Sequence, residues 1–142
     1  MDPQILKQVM EEMIPFNRFL GLRVAHVERG FVRVEIPFRD ELVGDPMRPA
    51  LHGGVIAMAT DVAGGFAVWS RLENEQARVS TIDMRVDYLR PGRLANIIAE
   101  ARIVRAGNRV GVADVRVYHP DAEEVTIATG KGVYNISTPK QH

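Results

Sequence analysis

Residues 53–69 read GGVIAMATDVAGGFAVW, and only Thr60 and Asp61 in this run are polar. Seventeen residues that include a carboxylate are too short and too polar for a membrane span. The flanking sequence is charged and strand-like. We therefore expect a helix over residues 52–71 that is apolar all round and buried on all sides in the core of a folded domain.

The predicted helix is rich in small residues. Each interior glycine lowers helix propensity by about 1 kcal/mol relative to alanine, so close packing has to compensate. A sheet covers only part of a helix, and we expect a second copy of the chain to cover the remainder, which makes the protein a homodimer. The small residues are Gly53, Gly54, Ala57, Ala59, Ala63, Gly64, Gly65 and Ala67.

Period-two alternation of apolar and polar residues predicts strands on both sides of the helix. Before the helix, LRVAHVERGFVRVEIPF is typical of a hairpin that turns at residues 28–30. After it, we expect four strands, over residues 78–90, 94–105, 109–118 and 124–134. Tight turns separate the last three, which are therefore expected to be antiparallel neighbours.

The N-terminal residues 1–17 have helical periodicity, with Asp2 suited to cap the helix and Pro3 to its first position. Together the elements predict an α+β fold. We expect a six-stranded antiparallel sheet wrapped around the long central apolar helix, with an additional N-terminal helix.

Length and composition limit the possible functions. The 142 residues give room for one domain, 1–142, and 46% apolar residues are enough for its core. Eighteen Lys and Arg residues balance eighteen Asp and Glu residues, so no net charge directs the chain to nucleic acid or to a membrane. The absence of cysteine excludes disulfides and a cysteine nucleophile. The N-terminus lacks the features of a secretory signal, and we expect a cytoplasmic protein.

His52, Gly53 and Gly54 stand where the central helix begins. The first N–H groups of a helix have no partner within the helix, and glycine lets a ligand approach them closely. Such donors suit a carbonyl oxygen that becomes negatively charged during a reaction. The alternative is a tight helix entry in which the glycines serve packing alone.

Asp61 is the second candidate, because an unpaired carboxylate inside an apolar helix costs several kcal/mol. We expect it to be paired, functional or both. Eight residues at 1.5 Å each place Asp61 about 12 Å along the axis from Gly53. One helix therefore cannot bring both residues to the same carbonyl, whereas two antiparallel helices across a two-fold axis can.

The segments PALHGGVIAMATDVAGG and STIDMRVDYLRPG resemble the hotdog-fold thioesterases of the PaaI-like type, over roughly residues 18–135. The resemblance implies paired subunits that hydrolyse acyl-CoA thioesters, with coenzyme A as part of the substrate and no separate cofactor. It also implies that Gly53 supplies the oxyanion-hole N–H. Asp61 of the partner subunit is then the general base or the nucleophile.

Other positions of the family pattern transfer less directly. Relatives carry a polar residue before the HGG motif, and Asp45 is the nearest candidate here. Relatives also place a Ser or Thr beside the carboxylate. Counting back from Pro91 selects Thr81, whereas simple strand alternation puts Ser80 on the helix side. A bulge reconciles the two, and Thr81 is favoured. His52 caps the helix or joins the site.

Coenzyme A carries phosphates, which a protein without net charge has to hold with local cations. The candidates are Arg90 and Arg93 around one turn and Arg105 and Arg109 around another; the alternative is solvated charge at hairpin ends. No metal site is expected, because His26 and His119 lack ligand-like spacing.

Several alternatives stay open at this stage. A hotdog domain also serves as a non-catalytic acyl-CoA sensor, or as a hydratase or dehydratase that uses a histidine such as His52. Apolar bulk around the helix favours a medium-to-long fatty acyl group, with an aromatic acyl group second. The sequence does not decide between coenzyme A and acyl-carrier-protein substrates, or between a homodimer and a dimer of dimers.

Overall fold

Short helices and strands precede the central helix in the computed structural model, which describes residues 1–140. Helices α1 (Pro3–Gln8) and α2 (Pro15–Leu20) are separated by a π-helical turn, Val9–Met13, and are followed by the hairpin of β1 (Arg23–Glu28) and β2 (Phe31–Ile36). A 3₁₀ turn (Asp40–Leu42) and a small sheet of β3 (Val43–Asp45) and β4 (Ala50–Leu51) lead into α3 (Gly53–Ser70).

The second half of the chain consists of four long strands. They are β5 (Arg78–Tyr88), β6 (Ile97–Ala106), β7 (Val110–His119) and β8 (Ala122–Ser137). With β1 and β2 they form one six-stranded sheet in the order β1-β2-β6-β7-β8-β5, antiparallel throughout. Helix α3 packs against β2, β5, β6, β7 and β8. The predicted α+β fold is confirmed.

Glycines on the strands let α3 lie close to the sheet. A Cβ atom on Gly111 of β7 would come within 2.7 Å of the Val68 side chain on α3. A Cβ atom on Gly130 of β8 would overlap the methyl group of Thr60. Val68 and Thr60 are both fully buried. Close contact with β7 and β8 therefore compensates in part for the low helix propensity of α3. This contact is possible because Gly111 and Gly130 have no side chain.

One side of α3 is left partly exposed by the sheet. The side chains on that side are only half-buried: Val55, Met58, Val62, Phe66 and Trp69. The prediction of a helix buried on all sides is therefore wrong for the single chain, because a sheet covers only one side of a helix. None of the helices within residues 1–140 combines the length and the apolarity needed to cross a membrane.

The N-terminal segment is not one continuous helix. Asp2 caps α1 by accepting a hydrogen bond from the Gln4 N–H, but α1 ends at Gln8 and a π-helical turn follows. Ile14 is extended, at φ −93° and ψ 110°, because a residue before proline is hindered from the helical conformation. Helix α2 then begins at Pro15. The predicted single helix over residues 1–17 is wrong at this point.

Replacing Gly111 with alanine should destabilise the protein, because the new methyl group would collide with Val68 in a fully packed core. Overpacking of this kind costs about 1–3 kcal/mol of unfolding free energy, measured by urea denaturation. The matched control is Gly107→Ala, where the nearest atom to the new Cβ is a backbone oxygen at 3.5 Å. That control should stay within about 0.5 kcal/mol of wild type. Equal stability of the two variants would contradict the close packing of α3 on β7.

Candidate active site

Asp61 lies halfway along α3 and is half-buried at the side that faces β5. Its Oδ1 accepts a hydrogen bond of 2.7 Å from the Thr81 hydroxyl. The second oxygen, Oδ2, has no protein partner within residues 1–140. The carboxylate thus avoids the cost of an unpaired buried charge by partial exposure and by one hydroxyl donor. One of its oxygens is fixed in place and the other is available to a ligand or to water.

A β-bulge determines which residue of β5 contacts Asp61. The register of β5 against β8 shifts between Thr81 and Asp83, which leaves Ile82 unpaired and 58% exposed. Simple alternation, which placed Ser80 and Ile82 on the helix side, is wrong here. The bulge turns Thr81 towards α3, and Ser80 is exposed. The structure thus pairs Thr81 with Asp61, and the catalytic role of Thr81 and the substrate-binding role of Ser80 stay predictions.

Tyr134 holds the backbone of α3 at the position of the carboxylate. Its hydroxyl donates a hydrogen bond of 2.9 Å to the carbonyl oxygen of Asp61, and the residue is 1% exposed. A Cβ atom on Gly64 of α3, or on Gly132 of β8, would overlap the Tyr134 side chain. Both glycines are therefore needed to admit the phenol between helix and sheet. Sequence reasoning did not find Tyr134, because its partner is a main-chain oxygen that leaves no pattern in the sequence.

His52 caps the start of α3. Its Nδ1 accepts a hydrogen bond of 2.8 Å from the Gly54 N–H, and its carbonyl oxygen accepts one from the Val55 N–H. The N–H of Gly53 has no protein partner within residues 1–140, and Gly53 is only half-buried. Of the first three N–H groups of the helix, the Gly53 donor is thus the one available to a ligand. The catalytic role of His52 and the substrate contact of Gly54 stay predictions.

Tyr88, the last residue of β5, orients the first turn of α3. Its hydroxyl donates a hydrogen bond of 2.8 Å to the Gly53 carbonyl oxygen. A Cβ atom on Gly53 would lie 3.4 Å from the Tyr88 ring, which is ordinary contact. Packing within the chain therefore does not require glycine at position 53. Sequence reasoning missed this tyrosine for the same reason as Tyr134.

An apolar cavity of about 280 Å³ opens beside the carboxylate. Asp61, Thr81 and Tyr134 form its polar part, and the side chains of Phe66 and Trp69 pack edge to face along it. Its other lining residues are Val9, Ile14, Val62, Gly65, Ala77 and Val79. Because a polar group lies at one part of a mainly apolar lining, the cavity suits a ligand that joins a reactive carbonyl to a hydrophobic tail.

Asp45 is engaged within its own loop. Its Oδ1 accepts hydrogen bonds from the N–H groups of Met47 and Arg48, at 2.9 and 3.0 Å. This is the arrangement by which aspartate stabilises a turn. A role in substrate binding stays a prediction.

The four candidate arginines lie at opposite ends of the sheet. The Arg90 N–H bonds to the carbonyl of Ile127, whereas the carbonyl of Arg109 accepts from Ile136. These two points are nine positions apart on β8, a distance of about 30 Å. The arginines thus form two separate pairs. Arg90 and Arg93 flank Gly92, whose carbonyl accepts from the Leu51 N–H just before α3, whereas Arg105 and Arg109 lie close to Gly111, which packs against Val68 near the end of α3.

The four side chains also differ in their partners. The Arg93 guanidinium bonds to Asp121 at 2.6 Å and holds the pKa of that carboxylate below its ordinary value. Within residues 1–140, Arg90, Arg105 and Arg109 have no charged partner. An anionic ligand near Gly53 would therefore find Arg90 available, while Arg93 is shared with an acid.

Among residues 1–140, no group of three or more His, Asp and Glu side chains is arranged to hold a metal ion. His119 is 3% exposed, and its Nδ1 bonds to the carbonyl of Asn96. Its Nε2 accepts a hydrogen bond of 3.0 Å from the Arg93 N–H. His26 pairs with Glu28 at the surface. Both histidines have structural partners, away from Asp61.

A family model described as Thioesterase superfamily matches residues 49–126. The matched region contains α3, the bulged strand β5 and the strands β6 and β7. It therefore includes Gly53, Asp61 and Thr81.

Relatives named as acyl-CoA thioesterases match nearly the whole chain. The chain is 40% identical to the medium/long-chain acyl-CoA thioesterase YigI of Salmonella typhimurium, over 94% of each protein. It is 38% identical to the YigI of Escherichia coli strain K12, again over 94% of each.

Solved structures show the same fold. A Shewanella oneidensis protein related to the thioesterase superfamily superposes with a TM-score of 0.84 at 32% identity, over 94% of each chain. A thioesterase family protein from Silicibacter pomeroyi superposes with a TM-score of 0.83 at 27% identity, over 94% of this chain and 99% of that one.

Replacing Tyr134 with phenylalanine should reduce the loss of stability at alkaline pH. Burial, together with the nearby Asp61 charge, raises the pKa of Tyr134 above its unfolded value of about 10. Unfolding above pH 10 therefore releases a proton, and stability falls as the pH rises. The variant lacks this proton, so its unfolding free energy should decline less steeply between about pH 10 and 12.

The measurement is the urea midpoint as a function of pH for both proteins. Near neutral pH the variant should be less stable by about 1 kcal/mol, the net contribution of one hydrogen bond. Identical slopes above pH 10 would show that Tyr134 is not buried as described.

Proposed function

The chain belongs to the thioesterase superfamily and is a thioester hydrolase, and we propose that it hydrolyses acyl-CoA thioesters to a free acid and coenzyme A. The observation that carries this proposal is the Asp61–Thr81 pair beside an apolar cavity. The names of the relatives point the same way, since the YigI proteins are medium/long-chain acyl-CoA thioesterases. No separate cofactor takes part in the proposal.

Asp61 activates or replaces the attacking water in this mechanism. Thr81 holds Oδ1, so Oδ2 accepts a proton as water attacks the thioester carbonyl. The tetrahedral intermediate then breaks its C–S bond, and the coenzyme A sulfur leaves with the proton from the carboxyl group. Alternatively the same oxygen attacks the carbonyl directly, the C–S bond breaks to give a mixed anhydride and the coenzyme A thiolate, and water then hydrolyses the anhydride to the free acid and restores the carboxylate. Asp61 is thus either the general base or the nucleophile.

Gly53 stabilises the oxygen of the tetrahedral intermediate. Its N–H is the donor that His52 and the helix leave available, and it sits at the positive end of the α3 dipole. Tyr88 supports this arrangement, because it bonds to the Gly53 carbonyl and limits movement of the first turn.

The Gly53 N–H and the Asp61 carboxylate act on the same carbonyl only if they come from different chains. Eight residues of helix separate Gly53 from Asp61 by about 12 Å, too far for one carbonyl. The half-buried side of α3 and the edge strand β5 are the surfaces that a second copy would cover. We propose a homodimer with two equivalent sites, each with Gly53 of one chain and Asp61 of the other. A dimer of dimers is compatible with the same sites.

The acyl group occupies the cavity beside Asp61 in this proposal. The lining is apolar and includes the rings of Phe66 and Trp69, which favours a medium-to-long fatty acyl chain, with an aromatic acyl group second. Arg90 is the candidate contact for the phosphates of coenzyme A, because it lies at the Gly53 end of α3.

Replacing Asp61 with asparagine should lower kcat by about 10²–10⁴-fold, since the amide cannot accept the proton. The side chain keeps its shape, so the fold should persist. Thiol release from a panel of acyl-CoA thioesters, from acetyl to palmitoyl with phenylacetyl included, measures the effect. The matched control is Asp114→Asn, which removes a carboxylate paired with Lys131 on β8 and should leave kcat unchanged.

Near-normal thiol release by Asp61→Asn would refute the role of the carboxylate. The products also separate the alternative functions. A change in enoyl absorbance without thiol release would indicate a hydratase. Saturable acyl-CoA binding without turnover in wild type would indicate a sensor.

Replacing Gly53 with proline tests the shared site. Proline lacks the N–H but is favoured at the first position of a helix, and His52 is already extended, at φ −60° and ψ 130°, as a residue before proline must be. We expect a loss of about 10²–10³-fold in kcat with the fold intact. Mixing Gly53→Pro chains with Asp61→Asn chains should restore part of the activity, because each heterodimer has one complete site.

The control is the double variant, in which every chain carries both Gly53→Pro and Asp61→Asn. It should stay inactive, because none of its dimers has a complete site. Subunit exchange is followed with chains of two different masses. Demonstrated exchange without any recovery of activity would refute a site made from two chains.

A further inference from the structure

The π-helical turn before Ile14 brings two apolar residues to one side of the N-terminal segment. In an α-helix, residues five apart are separated by about 140° around the axis, because each residue turns about 100°. In the π-helical turn the Ile14 N–H instead bonds to the Val9 carbonyl, at 3.3 Å. Val9 and Ile14 therefore face the same way, and both line the cavity beside Asp61.

The turn is fixed in this conformation by contacts on its other side. The buried Asn17 side chain donates to the Met10 carbonyl at 3.1 Å. The Glu11 carboxylate accepts from the Val24 N–H of β1 at 2.8 Å. Met10 itself is completely buried in the core. The segment is thus attached to the sheet and to the core. Val9 and Ile14 therefore form a fixed wall of the cavity beside Asp61.

This wall lies outside residues 49–126, which carry the family match and all the residues of the proposed chemistry. π-Helical turns are rare in proteins and occur frequently at functional sites. Packing in the core does not require that Val9 and Ile14 share a side, because both side chains are only half-buried. Their common surroundings are the cavity.

We propose that Val9 and Ile14 determine the length of the acyl chain that the enzyme accepts. The inference rests on the proposed function, because it takes the cavity beside Asp61 as the acyl site. Each methylene that enters the cavity adds hydrophobic contact, and the wall limits how many can enter. The N-terminal segment thus sets substrate specificity, while α3 and β5 provide the chemistry.

Trp69 gives a direct readout that does not depend on catalysis. It is the single tryptophan of the chain and lines the same cavity, so its fluorescence reports occupation. The probes are straight-chain saturated fatty acids from butanoate to tetradecanoate, the products of the proposed reaction. For wild type we expect affinity to rise about fourfold with each added methylene up to a limiting length, and then to level off.

Substitutions at Ile14 should move this limiting length in opposite directions. Ile14→Ala enlarges the cavity and should shift the limit to longer chains, whereas Ile14→Phe fills it and should shift the limit to shorter chains by two or more carbons. Val9→Ala is the second variant and should shift the limit to longer chains. Butanoate should bind all variants within about twofold of wild type, since it fills too little of the cavity to reach the wall. The matched controls are Met13→Ala and Met13→Phe, because Met13 is adjacent but 64% exposed, and they should leave the limit unchanged.

The same limiting length in wild type, Ile14→Ala and Ile14→Phe would overturn the proposal, and so would the absence of any saturable change in Trp69 fluorescence. Thiol release from acyl-CoA thioesters of matching lengths is measured in parallel. Normal hydrolysis with an unchanged limit would refute the wall and leave the proposed function standing. A shifted limit without hydrolysis by wild type would support the wall and count against acyl-CoA hydrolysis.

Discussion

The rigidity of α3 is the constraint on which the account of the site depends. A helix that rises 1.5 Å per residue keeps the Gly53 N–H about 12 Å from Asp61, and no side-chain rotation closes that distance. The Gly53 N–H proposed to stabilise a developing negative charge and the Asp61 carboxylate proposed to activate water thus lie on one helix but cannot meet within one chain. The half-buried side of α3 and the edge of β5 are consistent with a site made from two chains, because both leave surface that a second copy can cover.

Hydroxyl groups from two neighbouring strands hold this helix in place. Tyr88 and Thr81 on β5 donate to the Gly53 carbonyl and to the Asp61 carboxylate, and Tyr134 on β8 donates to the Asp61 carbonyl. Because β5 and β8 are paired, the same part of the sheet holds α3 at both Gly53 and Asp61. The glycines Gly64 and Gly132 make room for the largest of these side chains. Small residues and hydroxyl donors thus position the groups that the proposed chemistry uses.

The sequence predicted the parts of the fold that rest on local periodicity. The apolar helix, the hairpin and the antiparallel strands have regular patterns, and the structure has them nearly where expected. The bulge after Thr81 depends on register against β8, a contact about fifty residues away in sequence, so alternation within β5 misplaced Ser80 and Ile82. The π-helical turn depends on hydrogen bonds with groups outside it: Asn17 donates to the Met10 carbonyl, and Glu11 accepts from the Val24 N–H. Tertiary contacts of this kind leave no periodic signal, and neither do hydroxyl bonds to main-chain oxygens.

A site shared between two chains can be seen in a crystal structure with a ketone analogue of decanoyl-CoA, in which a methylene separates the sulfur from the carbonyl. We expect the carbonyl oxygen to lie about 3 Å from the Gly53 nitrogen of one chain. The carboxylate beside the same carbonyl carbon should be Asp61 of the other chain, with the decanoyl tail in the cavity lined by Trp69 and Ile14. A carbonyl that contacts Gly53 and Asp61 of a single chain, or that lies away from the Gly53 N–H, would contradict the account.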